Sequence, residues 1–291
     1  MSVWKSVMYR YNREELQKWT SFRKTAYLLV PLFIYFVVHD VSQILLWALI
    51  DVVLQKGNQN LQGFLAQNAN TLQGIVNGLA IFLGTVSIGK ALKMEIGFSD
   101  KEEAKEDHIN AKKVGEYVIL GVLAFLSAIG INILFEQFGI TQSSESFQQV
   151  HDLQYGVQFA AGLILYGLVS PVAEEAVFRG LIYNRMKRCF SDRIAWVVSS
   201  LLFGCYHGNL VQAVYGIILG LLIAWLYERY ESFAAPVLFH SVANISVYAM
   251  TYNRELNQIS RQNTLIMATI MLLSAMGIII FIKKSVGKQG K

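Results

Sequence analysis

At 291 residues, 54% hydrophobic and only 15% charged, with a mean hydropathy of +0.40, the chain is too apolar for an ordinary soluble domain. Its net charge of +5 comes with no nucleic-acid-binding module, so anionic lipid is the expected partner and nucleic acid is not. The composition predicts an all-α polytopic membrane bundle folded as one membrane domain.

Residues 1–24 form a basic leader in which Trp4, Val7, Met8 and Tyr11 fall at i, i+3, i+4 and i+7, the spacing of an amphipathic helix lying on a membrane surface. The leader lacks the apolar core and small-residue cleavage site of a signal peptide, so the first span is expected to be retained. Eight spans are predicted from apolar stretches near the roughly 20 residues that a bilayer requires. They are Thr25–Leu54, Thr71–Leu92, Val114–Leu134, Tyr155–Tyr183, Ile194–His207, Val211–Tyr230, Ala234–Tyr252 and Leu265–Ile282, the fifth of them short. Residues 25–150 thus carry the first three spans, 151–255 a core of four, and 256–291 the last span with a basic tail. In the loop before the third span, Ser99 with Glu102 three residues on reads as a capping box that opens a short mixed-charge helix. Cys189 and Cys205 are expected to stay unpaired. Gly204/Gly208 and Gly216/Gly220 have the spacing that lets helices pack closely.

Lys and Arg are divided unevenly between the two sides: 22 of the 25 lie in the leader, the 89–113 loop, the 179–193 stretch, the turn at Arg229 and the tail. Cytoplasmic segments carry such an excess, which places both termini in the cytoplasm and requires an even number of spans.

Within the fourth span, SPVAEEAVFRGLIY (Ser170–Tyr183) carries three charges, each costing roughly 2.5–3.5 kcal/mol on insertion scales. Glu175 and Arg179 are four apart and share a face, in the favourable order for an ion pair. Glu174 is turned about 100° away. One carboxylate is neutralised locally and the other is not, and environments that separate two carboxylates in this way are typical of acid/base sites. His240 and Asn244, in LFHSVANIS, present an imidazole and an amide from one face of the seventh span, and Phe203 and His207 repeat the spacing on the fifth. Counting about 1.5 Å per residue puts Glu174 and His240 at one depth, about 13 Å from the cytoplasmic ends of their spans, with His207 near about 20 Å. His39 and Asp40 in the first span are read as helix packing rather than a second site.

EEAVFRG, FGCYH and HSVAN resemble the three ordered motifs of the CPBP family, the intramembrane proteases that include type II CAAX prenyl endopeptidases and bacteriocin-immunity relatives. The pattern EExxxR, FxxxH and a His with an Asn beyond it is met by Glu174, Glu175 and Arg179, by Phe203 and His207, and by His240 and Asn244, over about Tyr155–Tyr252. The resemblance implies an intramembrane endopeptidase with a cavity open to the cytoplasmic side. There Glu174 would activate water, His207 would assist it, His240 and Asn244 would donate to the oxyanion, and Glu175 and Arg179 would hold the first carboxylate, with Phe203 in support. No cofactor is expected on this mechanism. A zinc-dependent alternative would use Glu174, His207 and His240 as ligands from three helices, since no HExxH is present. A proton-coupled transporter relaying through Glu174, the histidines and Asp40 is the rival from another class. The expected partners are the lipid bilayer and a membrane-associated protein or peptide substrate, in the plasma membrane if the source is bacterial.

Overall fold

The computed structural model describes residues 8–103, 111–253 and 264–286. Among the described residues there are twelve helices and no strand, as an apolar solvent demands when every backbone group must be satisfied within the chain. In order they are α1 (Arg13–Gln17), α2 (Ser21–Lys56), α3 (Gln59–Gln67), α4 (Ala69–Ser87), α5 (Gly89–Glu103) and α6 (Ala111–Gln137), then α7 (Glu145–Tyr155), α8 (Phe159–Cys189), α9 (Asp192–Tyr206), α10 (Leu210–Tyr230), α11 (Ala234–Tyr252) and α12 (Thr264–Ser285).

Six of these, α2, α4, α6, α8, α10 and α12, are long and apolar enough to cross a membrane. The other two predicted spans correspond to α9, of 15 residues, and α11, of 19. Both pack among the six. Large apolar side chains on the rim, such as Ile44, Leu45 and Leu49 on α2 and Ile266 and Leu273 on α12, point outward, where lipid is as good a solvent as the core. The chain is a multi-pass integral membrane protein.

Three local expectations change. The amphipathic leader helix is not seen at Met8 and Tyr11, which lie in turn and extended chain, while Trp4 and Val7 fall outside the described residues. Helix α1 starts only at Arg13 because Asn12 and Glu15 form a reciprocal capping box, and Tyr11 instead meets Trp19 edge-on at 4.8 Å. Ser99 does not open a helix; it lies inside α5, which begins at Gly89 where α4 breaks at Ile88. The predicted fourth span starts four residues late, at Phe159, because Tyr155 is the last residue of α7, a separate helix capped by Ser144, whose hydroxyl accepts from the Phe147 N–H at 3.3 Å.

Two apolar clusters flank the centre. One joins α6, α10, α11 and α12 through Leu123, Leu219, Ile223 and Phe239; the other joins α2, α5, α8 and α9 through Tyr35, Leu92, Phe178 and Phe203. Helices α9 and α10 form a tight antiparallel pair. Gly208 turns the chain with φ +74°, a conformation glycine adopts at no steric cost, and Asn209 caps α10 by accepting from the Gln212 N–H at 2.9 Å. A Cβ on Gly204 would lie 2.5 Å from the Ala213 carbonyl oxygen, and Gly216 packs on the Gly204 Cα. Of the four glycines in the two GxxxG spacings, Gly208 therefore serves the turn rather than a close contact.

At the basic end of the bundle the buried carboxylate of Glu95 on α5 accepts from Arg185 Nε at 3.0 Å, from Arg188 Nη2 at 2.6 Å and from the Tyr27 hydroxyl at 3.1 Å. Arg185 also donates to the Tyr27 carbonyl. This network fastens α2, α5 and the end of α8 to one another. Cys189 and Cys205 are both free thiols.

Candidate active site

Helix α8 is not uniformly α-helical: residues Leu165–Val169 and Ala176–Tyr183 form π-helical stretches on either side of the glutamate pair. Such bulges widen the backbone ladder. In the first of them the Ser170 N–H bonds the Leu165 carbonyl, five residues back. By the same register the Tyr166 carbonyl should accept from residue 171, but that residue is proline and has no N–H. The Asn244 side chain takes up the carbonyl instead, donating from Nδ2 at 3.0 Å. A proline in α8 thereby fixes the amide of α11.

One turn on, Glu174 and Glu175 are both buried and differ in what holds them. Glu174 Oε1 accepts from the Ser170 hydroxyl. Its Oε2 has no hydrogen-bond partner among the described residues, as is also true of Glu175 Oε2, and lies 3.8 Å from His240 Nε2. Glu175 Oε1 takes Arg179 Nη1 at 3.0 Å and His240 Nδ1 at 2.8 Å. Arg179 is wholly buried and spends Nη2 on the Gly220 carbonyl of α10 at 3.0 Å. A glycine eases that approach, because a Cβ there would sit at a tight 3.2 Å from Nη2.

Phe203 organises the ring side of the site. His207 and His240 stand edge-on to it, with centroids at 5.1 and 5.5 Å and planes at 89° in both cases. The Arg179 guanidinium sits 4.5 Å from the same ring, an arrangement that favours the cation electrostatically. His207 lies just past the end of α9 and donates from Nδ1 to the Phe203 carbonyl at 2.9 Å, which leaves Nε2 as the basic nitrogen of the neutral ring.

The structure brings six of the seven residues singled out by sequence into direct contact through Phe203, Glu175 and His240, while Asn244 joins them on the wall of one cavity of about 590 Å³ that also includes Glu174, His207 and His240. Glu175 differs from its expected position: it braces His240 rather than Glu174, and Ser170 is the residue that holds the first carboxylate. Ser170 stands four residues before Glu174, the same spacing that marked Arg179, so its signal was present in the sequence. The Tyr166 and Gly220 carbonyls had none. His39 lines the cavity as well and meets Asn77 of α4 at 3.3 Å, whereas Asp40 is exposed.

Among the described residues no group of three or more His, Cys, Asp or Glu side chains is placed to hold a metal ion. From Glu174 the cavity runs to one end of the bundle only. It passes Glu136 at the end of α6, Gln212 at the start of α10 and Thr251 at the end of α11, and is roofed by Gln148 and Gln154 of α7. None of its lining comes from the end that holds Lys90, Arg185, Arg188 and Arg229. A cytoplasmic-side opening and the cytoplasmic placement of the basic segments are therefore incompatible in this structure.

Residues 156–246 match the family model of the type II CAAX prenyl endopeptidase Rce1-like proteins. The chain is similar to "Putative membrane peptidase YdiL" of Bacillus subtilis (strain 168), at 27% identity over 143 residues covering 49% of this chain and 58% of that protein. It is also similar to two proteins of Lactococcus lactis subsp. lactis (strain IL1403). UPF0177 protein YxdF is 24% identical over 44% of this chain and 72% of its own length, and UPF0177 protein YaiH is 27% identical over 44% and 51%. No solved structure matches.

Proposed function

We propose, on the premise that this chain belongs to the CPBP family of intramembrane proteases through its Rce1-like region, that it is an endopeptidase hydrolysing a peptide bond by glutamate-activated water. The observation that carries this reading is the buried Glu174 Oε2, which lies beside His240 and has no hydrogen-bond partner among the described residues, on a carboxylate that, unlike Glu175, lines the cavity and whose other oxygen is already held by Ser170.

On this reading Glu174 Oε2 accepts a proton from water as the water oxygen adds to the scissile carbonyl carbon. His207 Nε2 stands as a second acceptor on the same cavity wall. The oxyanion that forms receives hydrogen bonds from the second N–H of Asn244 and from His240 Nε2. His240 donates through Nδ1 to Glu175, so it offers Nε2–H only as the imidazolium, with Glu175 as its counter-charge. Donors fixed in advance in a site of low dielectric are worth more than the same groups in water. The proton taken from water then passes to the amine nitrogen as the C–N bond breaks. Arg179 holds Glu175 in place through their ion pair, and Ser170 orients one oxygen of Glu174.

Quantitative comparison of N- and C-terminal peptides in cells expressing wild type or Glu174→Gln is expected to show new termini only with wild type. The same termini at equal abundance, or cleavage at the wild-type rate by purified Glu174→Gln, would overturn the base assignment. Elemental analysis of active protein, paired with chelator treatment, is expected to find activity independent of metal. Loss of activity on chelation and its return with zinc would replace the glutamate mechanism by the metal one.

A further inference from the structure

The cavity and the charge distribution together assign a side to the site. We infer that the candidate site is reached from the non-cytoplasmic face of the membrane, and that its substrate is an internal, extended stretch of polypeptide presented on that face; the substrate class rests on the peptidase reading, the side does not.

Two independent observations meet here. The first is the direction of the cavity: its lining runs from Glu174 and His240 at mid-depth to the ends of α6, α10 and α11 and to α7, all at one end of the bundle. The second is the distribution of cations. That end of the described bundle carries Lys56, and residues 138–158, which form the roof, contain no Lys or Arg and two acids, Glu145 and Asp152. The opposite end carries the dense basic segments, including Lys90, Lys187, Arg193 and Arg229. Positive charge marks the cytoplasmic side, so the mouth faces outward.

The chemistry of the mouth then limits what it takes. Its polar walls are chiefly amides, Asn132, Gln142, Gln148, Gln154 and Gln212, beside Glu136 and His151, and no Lys or Arg lines the cavity among the described residues. Amides both donate and accept, as the backbone of an extended chain requires. Among the described residues the lining groups that could meet an anion include imidazoles, His151 at the mouth and His207 and His240 at depth. The amide-rich wall therefore suits an extended internal stretch of backbone, and a prenylated tail in the cytoplasm would approach the closed end. The volume of about 590 Å³ lies within the range of roughly 300–1,000 Å³ in which proteins enclose ligands of several groups.

The test uses the full-length protein in intact cells, with Cys189→Ser and Cys205→Ser removing the two native thiols. Single cysteines are introduced as Gln149→Cys, exposed on the outer side of α7, as Gln154→Cys in the mouth, and as Ser191→Cys at the basic end. A membrane-impermeant maleimide is expected to label positions 149 and 154 at least tenfold faster than 191, with 191 rising to the same rate only on permeabilisation. Labelling at 154 is further expected to reduce Glu174-dependent cleavage at least tenfold, whereas labelling at 149 leaves it unchanged. Equal rates at 149 and 191, or reaction at 149 and 154 only after permeabilisation, would overturn the assignment of the side. Outward labelling in a protein that yields no Glu174-dependent termini would leave the side standing and remove the peptidase reading with its substrate.

Discussion

Pro171 shows how a single missing proton shapes this site. Because residue 171 cannot donate to the Tyr166 carbonyl, that oxygen is left for Asn244, and one N–H of the amide is committed to α8 while the other remains for chemistry. Asn244→Ala removes the donor and its anchor together, and turnover should fall by about 10² to 10³, the usual cost of one oxyanion donor, with substrate affinity little changed in a steady-state assay. Pro171→Ala is the subtler experiment. It restores an N–H that competes for the Tyr166 carbonyl, and with one hydrogen bond worth a net of about 0.5–1.5 kcal/mol it should lower kcat by up to about tenfold while KM stays near wild type. Pairs within one helix were legible at this scale, since Glu175 and Arg179 declare themselves by spacing. The bond from His240 to Glu175 joins residues 65 positions apart, and no periodicity within either segment encodes it.

At the scale of elements, the period itself is where sequence reading stopped. Eight apolar stretches were visible because the membrane asks for length and hydrophobicity, and each has its helix. The π-helical stretches in α8 were invisible, because reading at 3.6 residues per turn presumes the α-helix it sets out to find. Helix α7 was missed for a related reason: residues 145–154 fell in the loop before the fourth span, because their polar sequence carries no membrane signal, and only packing makes the helix the roof of the cavity. The glycines of the α9–α10 pair give a sharper test. With the Ala213 carbonyl oxygen at 2.5 Å from any added Cβ, Gly204→Ala must push backbone against backbone. A loss of about 1–3 kcal/mol, typical of overpacking, is expected in thermal unfolding of the detergent-solubilised protein. Gly208→Ala, where no atom lies within 4 Å, acts instead through its left-handed backbone.

Across the whole molecule, the basic end and the cavity end do different work. The basic end is locked: Glu95 faces both Arg185 and Arg188, so Glu95→Ala takes a buried carboxylate partner from both guanidiniums. Breaking one partner of such a pair costs about 3–5 kcal/mol, and the variant should unfold at markedly lower temperature, while α8 detached from α2 and α5 should become open to protease near Arg188 in inverted vesicles. The other end is shaped by a short helix. Helix α9, at 15 residues, is about 22 Å long by its rise, against a hydrocarbon layer of about 30 Å. Lipids beside a segment that short must thin to meet it, and the pinch falls where His207 caps the helix. On the peptidase reading, acyl-chain length then becomes a control on the hydrolytic supply: longer-chain bilayers are expected to slow Glu174-dependent cleavage in reconstituted vesicles without altering a single side chain.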